Sequence, residues 1–328
     1  MRAVPVRDLL DTRARGTVQF EVKNDGWRCL AFVRGSRIYL QSRQLRDLTH
    51  LYPDVVANLD AALLPDVVLD GEIVIWDPDA GRTCFPALQR RVTAGRDIQA
   101  EAHARPASYV VFDLLEFDGH ELLDRPLIER RLLLEELLAG NPPGLALCPA
   151  TRDPDEARDW FDTYHAAGCE GLVIKDLTST YGAALPGWWK WKRRTVTKAL
   201  VGGVLGTLAN PVVLLLGRYT DRQVLHYVGR TVPLSAGQRA EIAGVLTAAT
   251  DHPWRNPLPA AWTGRFDKRE PQGYLPVEPV QVVDISVDEA WESGRWRHPV
   301  RFERLRGDLT AADVPASLRI HSVLPRRS

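Results

Sequence analysis

Between residues 17 and 47 the sequence leaves the backbone little choice. Val18 to Val22 reads as a strand that runs into Lys23-Asn24-Asp25-Gly26, and Cys29 to Val33 and Ile38 to Leu40 flank a second turn around Gly35. Asp-Gly supplies the positive φ that a tight reversal between strands needs. Alternating apolar residues give each strand one face to bury. A strand, a tight turn and a hairpin are therefore expected, which commits this part of the chain to antiparallel sheet.

The turn also carries a lysine, and lysine is scarce here. Only six of the 42 basic Lys and Arg residues are lysine: Lys23, Lys175, Lys190, Lys192, Lys198 and Lys268. An amine can lose its proton and become a nucleophile, whereas a guanidinium stays charged. In so arginine-biased a chain, a lysine marks a candidate place where arginine will not serve. Read alone, Lys23 to Arg28 is equally an Asp-Gly hairpin turn with a solvent-facing lysine.

Further along, a helix is expected over Tyr52 to Leu63, then an apolar β-branched run from Val67 to Trp76 interrupted by Asp70-Gly71-Glu72. Tyr109 to Leu115 reads as a strand before a turn at Asp118-Gly119, and Leu127 to Leu138 as a helix stopped by Gly140. Asp153-Pro154-Asp155-Glu156 opens another helix, with Asp153 as cap and Glu156 completing a capping box. Its apolar face is Ala157, Trp160, Phe161 and Tyr164, and it ends at Gly168. Gly171 to Lys175 and Trp188 to Lys192 are short strands, and the basic stretch Arg193 to Lys198 suggests a boundary. Beyond it, strands are expected at Leu200–Leu208, Val212–Tyr219, Val224–Val232, Val277–Val287 and Val300–Leu305. A helix starts at Ser235, with Gln238 placed for a capping box, and runs to about Ala249. Five strands with one inserted helix is the pattern of an OB barrel. Residues 250–276 read as a long loop, and the tail after Pro315 as loose.

Composition narrows the classes. The chain has 45% hydrophobic and 26% charged residues, as soluble globular proteins do. Its longest purely apolar run, Val212 to Leu216, is far too short to cross a bilayer, and Met1 to Gly16 has no signal-peptide core. Four scattered cysteines without CxxC spacing fit neither a zinc site nor a disulfide framework. A cytoplasmic protein without a membrane partner is expected. Net charge is zero, so any nucleic-acid contact must rest on local patches. One such patch holds Arg295, Arg297, Arg301, Arg304 and Arg306 within twelve residues, and it is equally an ordinary solvated face.

Taken in order, these segments resemble the covalent nucleotidyltransferases, most closely the ATP-dependent DNA ligases of bacterial, ligase C-like type, over about residues 17 to 310. Lys23-Asn24-Asp25-Gly26-Trp27-Arg28 matches the motif of the lysine that attacks the nucleotide. Ser42-Arg43 is similar to the next element, although Gln44-Leu45 stands where an Asn-Gly pair is common. Asp70-Gly71-Glu72, the segment around Phe112, Glu170 to Lys175, and Trp189-Lys190-Trp191-Lys192 follow in the family's sequence. The resemblance implies an α+β fold. An adenylation (nucleotidyltransferase) domain at 1–194, ATP-grasp-like with antiparallel sheets and flanking helices, precedes an OB-fold β-barrel domain at 195–315 and a tail at 316–328.

The resemblance also implies site residues. Lys23 would be the nucleophile and Phe112 the platform for adenine, with Glu21 at the adenine edge. Arg28, Arg43 and Glu72 would contact the sugar or phosphate. Glu72 and Glu170 are the best oxygen ligands for Mg2+ or Mn2+. An attacking amine must be neutral, whereas free lysine has a pKa near 10.4; Lys175, Lys190, Lys192 and Arg28 are the cations available to lower it. In isolation Phe112 is as readily a core residue, and Glu170 a solvated one. Arg301, Arg306 and Asp308 are similar to the family's C-terminal motif, with Leu309 where a lysine is common.

The expected substrates are ATP and nicked or broken duplex DNA, in DNA repair or recombination. About twenty residues precede Lys23, so the helical DNA-clasping domain of larger ligases is expected to be absent. Weak nick binding by a monomer, aided by a recruiting repair protein, would follow. An RNA ligase or a capping-type guanylyltransferase is the alternative within the class. A non-catalytic OB-fold nucleic-acid binder is the alternative outside it.

Overall fold

The computed structural model describes residues 3–6, 8, 9, 11, 12, 14, 17–62, 64–140, 142–182, 187–262, 271–288, 290–292 and 294–316. The tail from 317 onward, Lys268 and the middle of the expected 250–276 loop lie outside them. The chain divides into two compact units, Met1–Lys192 and Arg193–Ser328.

The first unit holds two main sheets. One has the order Val4–Val6, Trp188–Lys192, Gly171–Asp176, Val18–Lys23, Ala150–Thr151, with only the first pair parallel. Its sequence alternates because its two faces differ. Phe20, Leu172, Ile174 and Trp189 pack with Ala157 of the helix Pro154–Thr163, and Trp191 stacks on Phe161 at 3.6 Å. Asp153 caps that helix by accepting from Asp155 N, as the sequence suggested. The expected capping box is not formed: Asp153 N donates to Thr151 Oγ1, which leaves Glu156 no backbone donor to reach.

The other sheet runs Arg37–Ser42, Trp27–Arg34, Val67–Asp77, Ala107–Phe117, His120–Glu121. One face carries Cys29, Ala31, Val33, Leu69, Ile73, Tyr109 and Val111 into a core closed by Val55 and Leu59 of Pro53–Ala61, Leu88 of Phe85–Thr93, and Leu134 of Leu127–Leu137. The expected interruption at Asp70-Gly71-Glu72 is not a break. Val67–Asp77 is continuous, and the polar residues are absorbed by register shifts against Ala107–Phe117 between Val68 and Leu69 and between Asp70 and Gly71. The helices Phe85–Thr93 and Ile98–Ala104 had no counterpart in the sequence reading. The first is amphipathic and buries Ala87, Leu88 and the whole of Arg91, whose guanidinium bonds Asp54, a pattern masked in sequence by its arginines.

In the second unit the strands Leu225–Arg230, Asn210–Tyr219, Thr195–Thr207, Val282–Val287 and Arg301–Leu305 lie side by side in that order, all antiparallel. The two edges meet through a parallel bridge, Thr231 to Val300, with Val300 N donating to Arg230 O and Val232 N to Val300 O. The sheet therefore closes on itself around Ala199, Val201, Leu214, Leu216, Val228, Val283 and Ile285. The helix Ala236–Ala243 has the expected Ser235–Gln238 capping box, with both hydrogen bonds present. It ends well before Ala249, because Ala248 pairs with Val277 and Ala249 N donates to Pro276 O. No helix among the described residues is long and apolar enough to cross a membrane.

Candidate active site

Cross-strand register places the chemistry on one sheet face. Lys23, Gly171 and Lys192 form one row across three strands; Glu21, Val173 and Lys190 form the next; Gln19, Lys175 and Trp188 the third. Side chains two apart share a face, so this row pattern collects four of the chain's six lysines on the face opposite the Phe20–Trp189 packing. Gly171 makes the row possible. It sits at φ +142, and a Cβ there would lie 2.1 Å from Trp191 O. The expected tight Asp-Gly reversal after Lys23 is not formed: Gly26 has no positive φ, and Val18–Lys23 and Trp27–Arg34 lie in different sheets. Gly26 instead allows a close approach to the neighbouring strand, where a Cβ would lie 2.3 Å from Ile73 O.

Lys23 and Glu170 are joined twice. Glu170 N donates to Lys23 O at 2.9 Å, and Lys23 Nζ donates to Glu170 Oε2 at 2.6 Å. The same oxygen lies 2.7 Å from Lys192 Nζ. Burial alone would pull the Lys23 ammonium down, but Glu170 above all, with Glu72 and Asp25, outweighs it, and the pKa is raised. Here the sequence expectation fails: neighbouring cations do not leave this amine neutral. The carboxylate bonded to it holds the proton on. Glu170 is driven the other way, far below its usual value, because Lys23 and Lys192 overcome its desolvation.

The second sheet presents its polar face to the same region. Arg28 and Glu72 are register partners, and Asp70 lies on the same side of its strand as Glu72. Arg28 grips buried Asp70 through two bonds, Nε to Oδ1 at 3.0 Å and Nη2 to Oδ2 at 2.6 Å. Burial opposes the guanidinium's charge, Asp70 more than restores it, and its pKa rises. Glu72 fares differently. Burial pushes its carboxyl up to about 7, against the pull of Lys23 and Arg28. Phe112 and Trp188 form an aromatic wall with ring centroids 5.9 Å apart; Lys175 Nζ lies 4.6 Å from the first and 4.1 Å from the second, and the Arg28 guanidinium about as close to both, at 5.4 and 5.5 Å.

Lys175 is fully buried, bonding Phe112 O at 3.0 Å and pairing with Glu21 at 2.7 Å. Glu21 also accepts from Gln19 Nε2 and lies 3.7 Å from Arg131 Nη1, a charge 110 residues away in sequence. Two buried donors, Trp188 Nε1 of this wall and Arg131 Nη1 beside Glu21, have no hydrogen-bond partner among the described residues. Such orphans fit a ligand with acceptor atoms, as a nucleotide base is. Arg43 is exposed in the turn after Arg37–Ser42.

A hard divalent cation prefers carboxylate oxygens and keeps much of its water. The described residues contain no cluster of three His, Cys, Asp or Glu side chains placed as a cage. Glu72 nevertheless suits such an ion, because burial raises its pKa to about 7 and a bound cation would offset that desolvation of the carboxylate. Glu170 suits it only as far as it releases Lys23 and Lys192.

In the second unit, Arg306 forks onto Asp308 at 2.8 and 2.7 Å and reaches Asp284 at 3.2 Å, while Arg304 Nε bonds Asp284 at 2.8 Å. Burial raises the Asp284 carboxyl, the two arginines outweigh that, and its pKa falls. Arg301 is exposed on the same strand as Arg304. The sequence reading missed Asp284, Asp70, Tyr181 and Arg131. Only Asp70 carried a signal, as the first residue of the Asp-Gly-Glu triplet; the others meet their partners through tertiary packing.

Known proteins similar to this chain fall in one family. The ATP dependent DNA ligase domain family matches residues 1–192. DNA ligase C2 of Mycolicibacterium smegmatis is 34% identical over 313 residues, covering 90% of this chain and 87% of that protein. DNA ligase C of Mycobacterium tuberculosis is 31% identical over 310 residues, covering 88% and 86%. Among solved structures, the ligase domain of M. tuberculosis LigD aligns with a TM-score of 0.51 at 28% identity, covering 95% of this chain and 97% of that one.

Proposed function

The chain belongs to the ATP-dependent DNA ligase family, and on that premise we propose that Lys23 carries the adenylate by which it seals nicked or broken duplex DNA. The observation that carries this reading is the sharing of Glu170 Oε2 by Lys23 and Lys192 on a face that also holds Lys190, with Arg28 and Glu72 on the neighbouring sheet. Few arrangements other than nucleotidyl transfer call for an amine, two further lysines and two carboxylates around one point.

In the first step Lys23 Nζ attacks the α-phosphorus of ATP; the N–P bond forms and the bond to the pyrophosphate oxygen breaks. A 5′-phosphate oxygen at the break then attacks that phosphorus and returns the amine to Lys23. The 3′-hydroxyl finally attacks the 5′-phosphorus and AMP departs, leaving a phosphodiester. Lys190, Lys192, Arg28 and Arg43 offset the charge that develops on the phosphates. Phe112 stacks with the base, Lys175 stiffens the wall behind it, and Glu21 reads the base edge. Glu72 and Glu170 would hold magnesium or manganese, whose charge neutralises phosphate oxygens. Glu170 Oε2 holds the Lys23 ammonium, so this ion pair must loosen and the ammonium give its proton to solvent before the neutral amine attacks.

The closed five-strand sheet, with a helix between its third and fourth strands, supports an OB-type barrel at 195–315 that follows, along the chain, an adenylation domain at 1–194. Arg301, Arg306 and Asp308 then act on phosphates from that barrel, with salt-sensitive DNA binding. A cytoplasmic monomer brought to breaks by a repair protein completes the reading. Replacing Lys23 by Ala should abolish label transfer from α-labelled ATP and the AMP mass increment on the intact chain. A covalent adduct surviving in that variant would place the nucleophile elsewhere.

A further inference from the structure

The Arg28–Asp70 pair has a third member. Tyr181 Oη donates to Asp70 Oδ2 at 2.9 Å and lies 3.3 Å from Arg28 Nη2, from which it accepts. Asp70 is fully buried and stands at a register shift, so the regular ladder does not by itself fix where its carboxylate points. A bidentate guanidinium constrains Asp70, but each also moves with the other. The tyrosine anchors the pair from outside. Tyr181 N donates to Leu123 O at 2.9 Å, its ring meets Trp188 edge-on at 6.1 Å, and the Arg130 guanidinium lies 5.9 Å from its centroid. Arg130 is in turn locked to buried Asp113 by two bonds of 2.8 and 2.9 Å. The ring is thus held by elements that do not include Arg28.

We propose that Tyr181 is a positioning residue for ATP: through Asp70 it fixes the direction in which Arg28 meets the nucleotide. This rests on the assignment of Arg28 to the sugar or phosphate given above. A hydrogen bond to a charged group contributes enough that its loss should appear as a several-fold change. Because the hydroxyl orients a binding group and touches no reacting atom, the change belongs in KM for ATP.

The experiment is a double-mutant cycle on the full chain, with Tyr181→Phe, Arg28→Ala and the pair, read as the rate of labelled adduct formation against ATP concentration. Tyr181→Phe is expected to raise KM for ATP about fivefold to tenfold, with kcat within about twofold. In the Arg28→Ala background the same change should alter KM by less than about twofold. Equal effects in both backgrounds, or a fall in kcat alone, would overturn the proposal. If Arg28→Ala leaves KM unchanged, the Arg28 assignment fails and takes this proposal with it; if it raises KM without coupling to position 181, only this proposal fails. Should Tyr181→Phe not fold, 3-fluorotyrosine at 181 decides the matter. It keeps ring and hydroxyl while donating more strongly, so KM should stay at or below the wild-type value; a several-fold rise would count against the role.

Discussion

Removing one charge should reset the nucleophile's proton affinity. Glu170→Gln keeps the shape of the side chain and deletes the anion that lies 2.6 Å from Lys23 Nζ and 2.7 Å from Lys192 Nζ. At an effective dielectric of about 20, a charge pair at this range is worth about 4–6 kcal/mol. Lys23 and Glu170 keep 24% and 13% of their side-chain surface exposed, so solvent screening reduces that gross figure. A clear fall in the Lys23 pKa is expected. The sign is fixed by the geometry: burial then acts unopposed by its main counter-charge, and Lys192 is left as a like-charged neighbour. Six lysines make the assay tractable, since a chain labelled with 13C at the lysine ε-carbon gives few signals and Lys23→Arg assigns the one of interest. The titration should be run without nucleotide or divalent ion. A Lys23 titration within half a pH unit of wild type, in a folded Glu170→Gln chain, would refute the argument that this ion pair holds the proton. Linkage gives a second reading. The raised pKa of Lys23 contributes stability that is present below 10.5 and lost as pH rises through its folded value; the depressed pKa of Glu170 contributes stability present above 4.5 and lost as pH falls through its own.

Three further outcomes follow from particular contacts. Gly171→Ala should destabilise the first unit by about 3 kcal/mol or more, seen as a lowered urea midpoint, because the new Cβ meets Trp191 O at 2.1 Å in a backbone conformation that disfavours side chains. With Glu72 raised to about 7 from 4.5, the folded chain binds its proton more tightly than the unfolded chain, so stability should fall as pH rises between those values. Glu72→Gln should flatten that slope in metal-free buffer, and an unchanged slope would exonerate Glu72. Ser235→Ala removes the side-chain acceptor for Gln238 N and should cost about 1 kcal/mol, measured on the unfolding transition of the second unit.

The sequence by itself determined the hairpin, the order of motifs and the choice of lysines, because these are local. Alternation sets which face a strand buries, Gly35 sets where the hairpin of Trp27–Arg34 and Arg37–Ser42 turns, and scarce lysine among arginines stands out without any coordinates. It also determined the five strands and capped helix of the second unit. What it could not determine was anything decided by a partner distant along the chain. Register alone put Lys23, Gly171 and Lys192 in a row. The polar triplet at 70–72 looked like a break until a facing strand absorbed it with register shifts. The short bridge from Thr231 to Val300 closes a sheet that the sequence only listed strand by strand. Most tellingly, the same lysine can be pushed down by cations or held up by a carboxylate. Composition supplied both kinds of neighbour, and only the fold chose which of them lies 2.6 Å away. Electrostatic energy depends on distance and burial, and neither is a property of a sequence until the chain has folded.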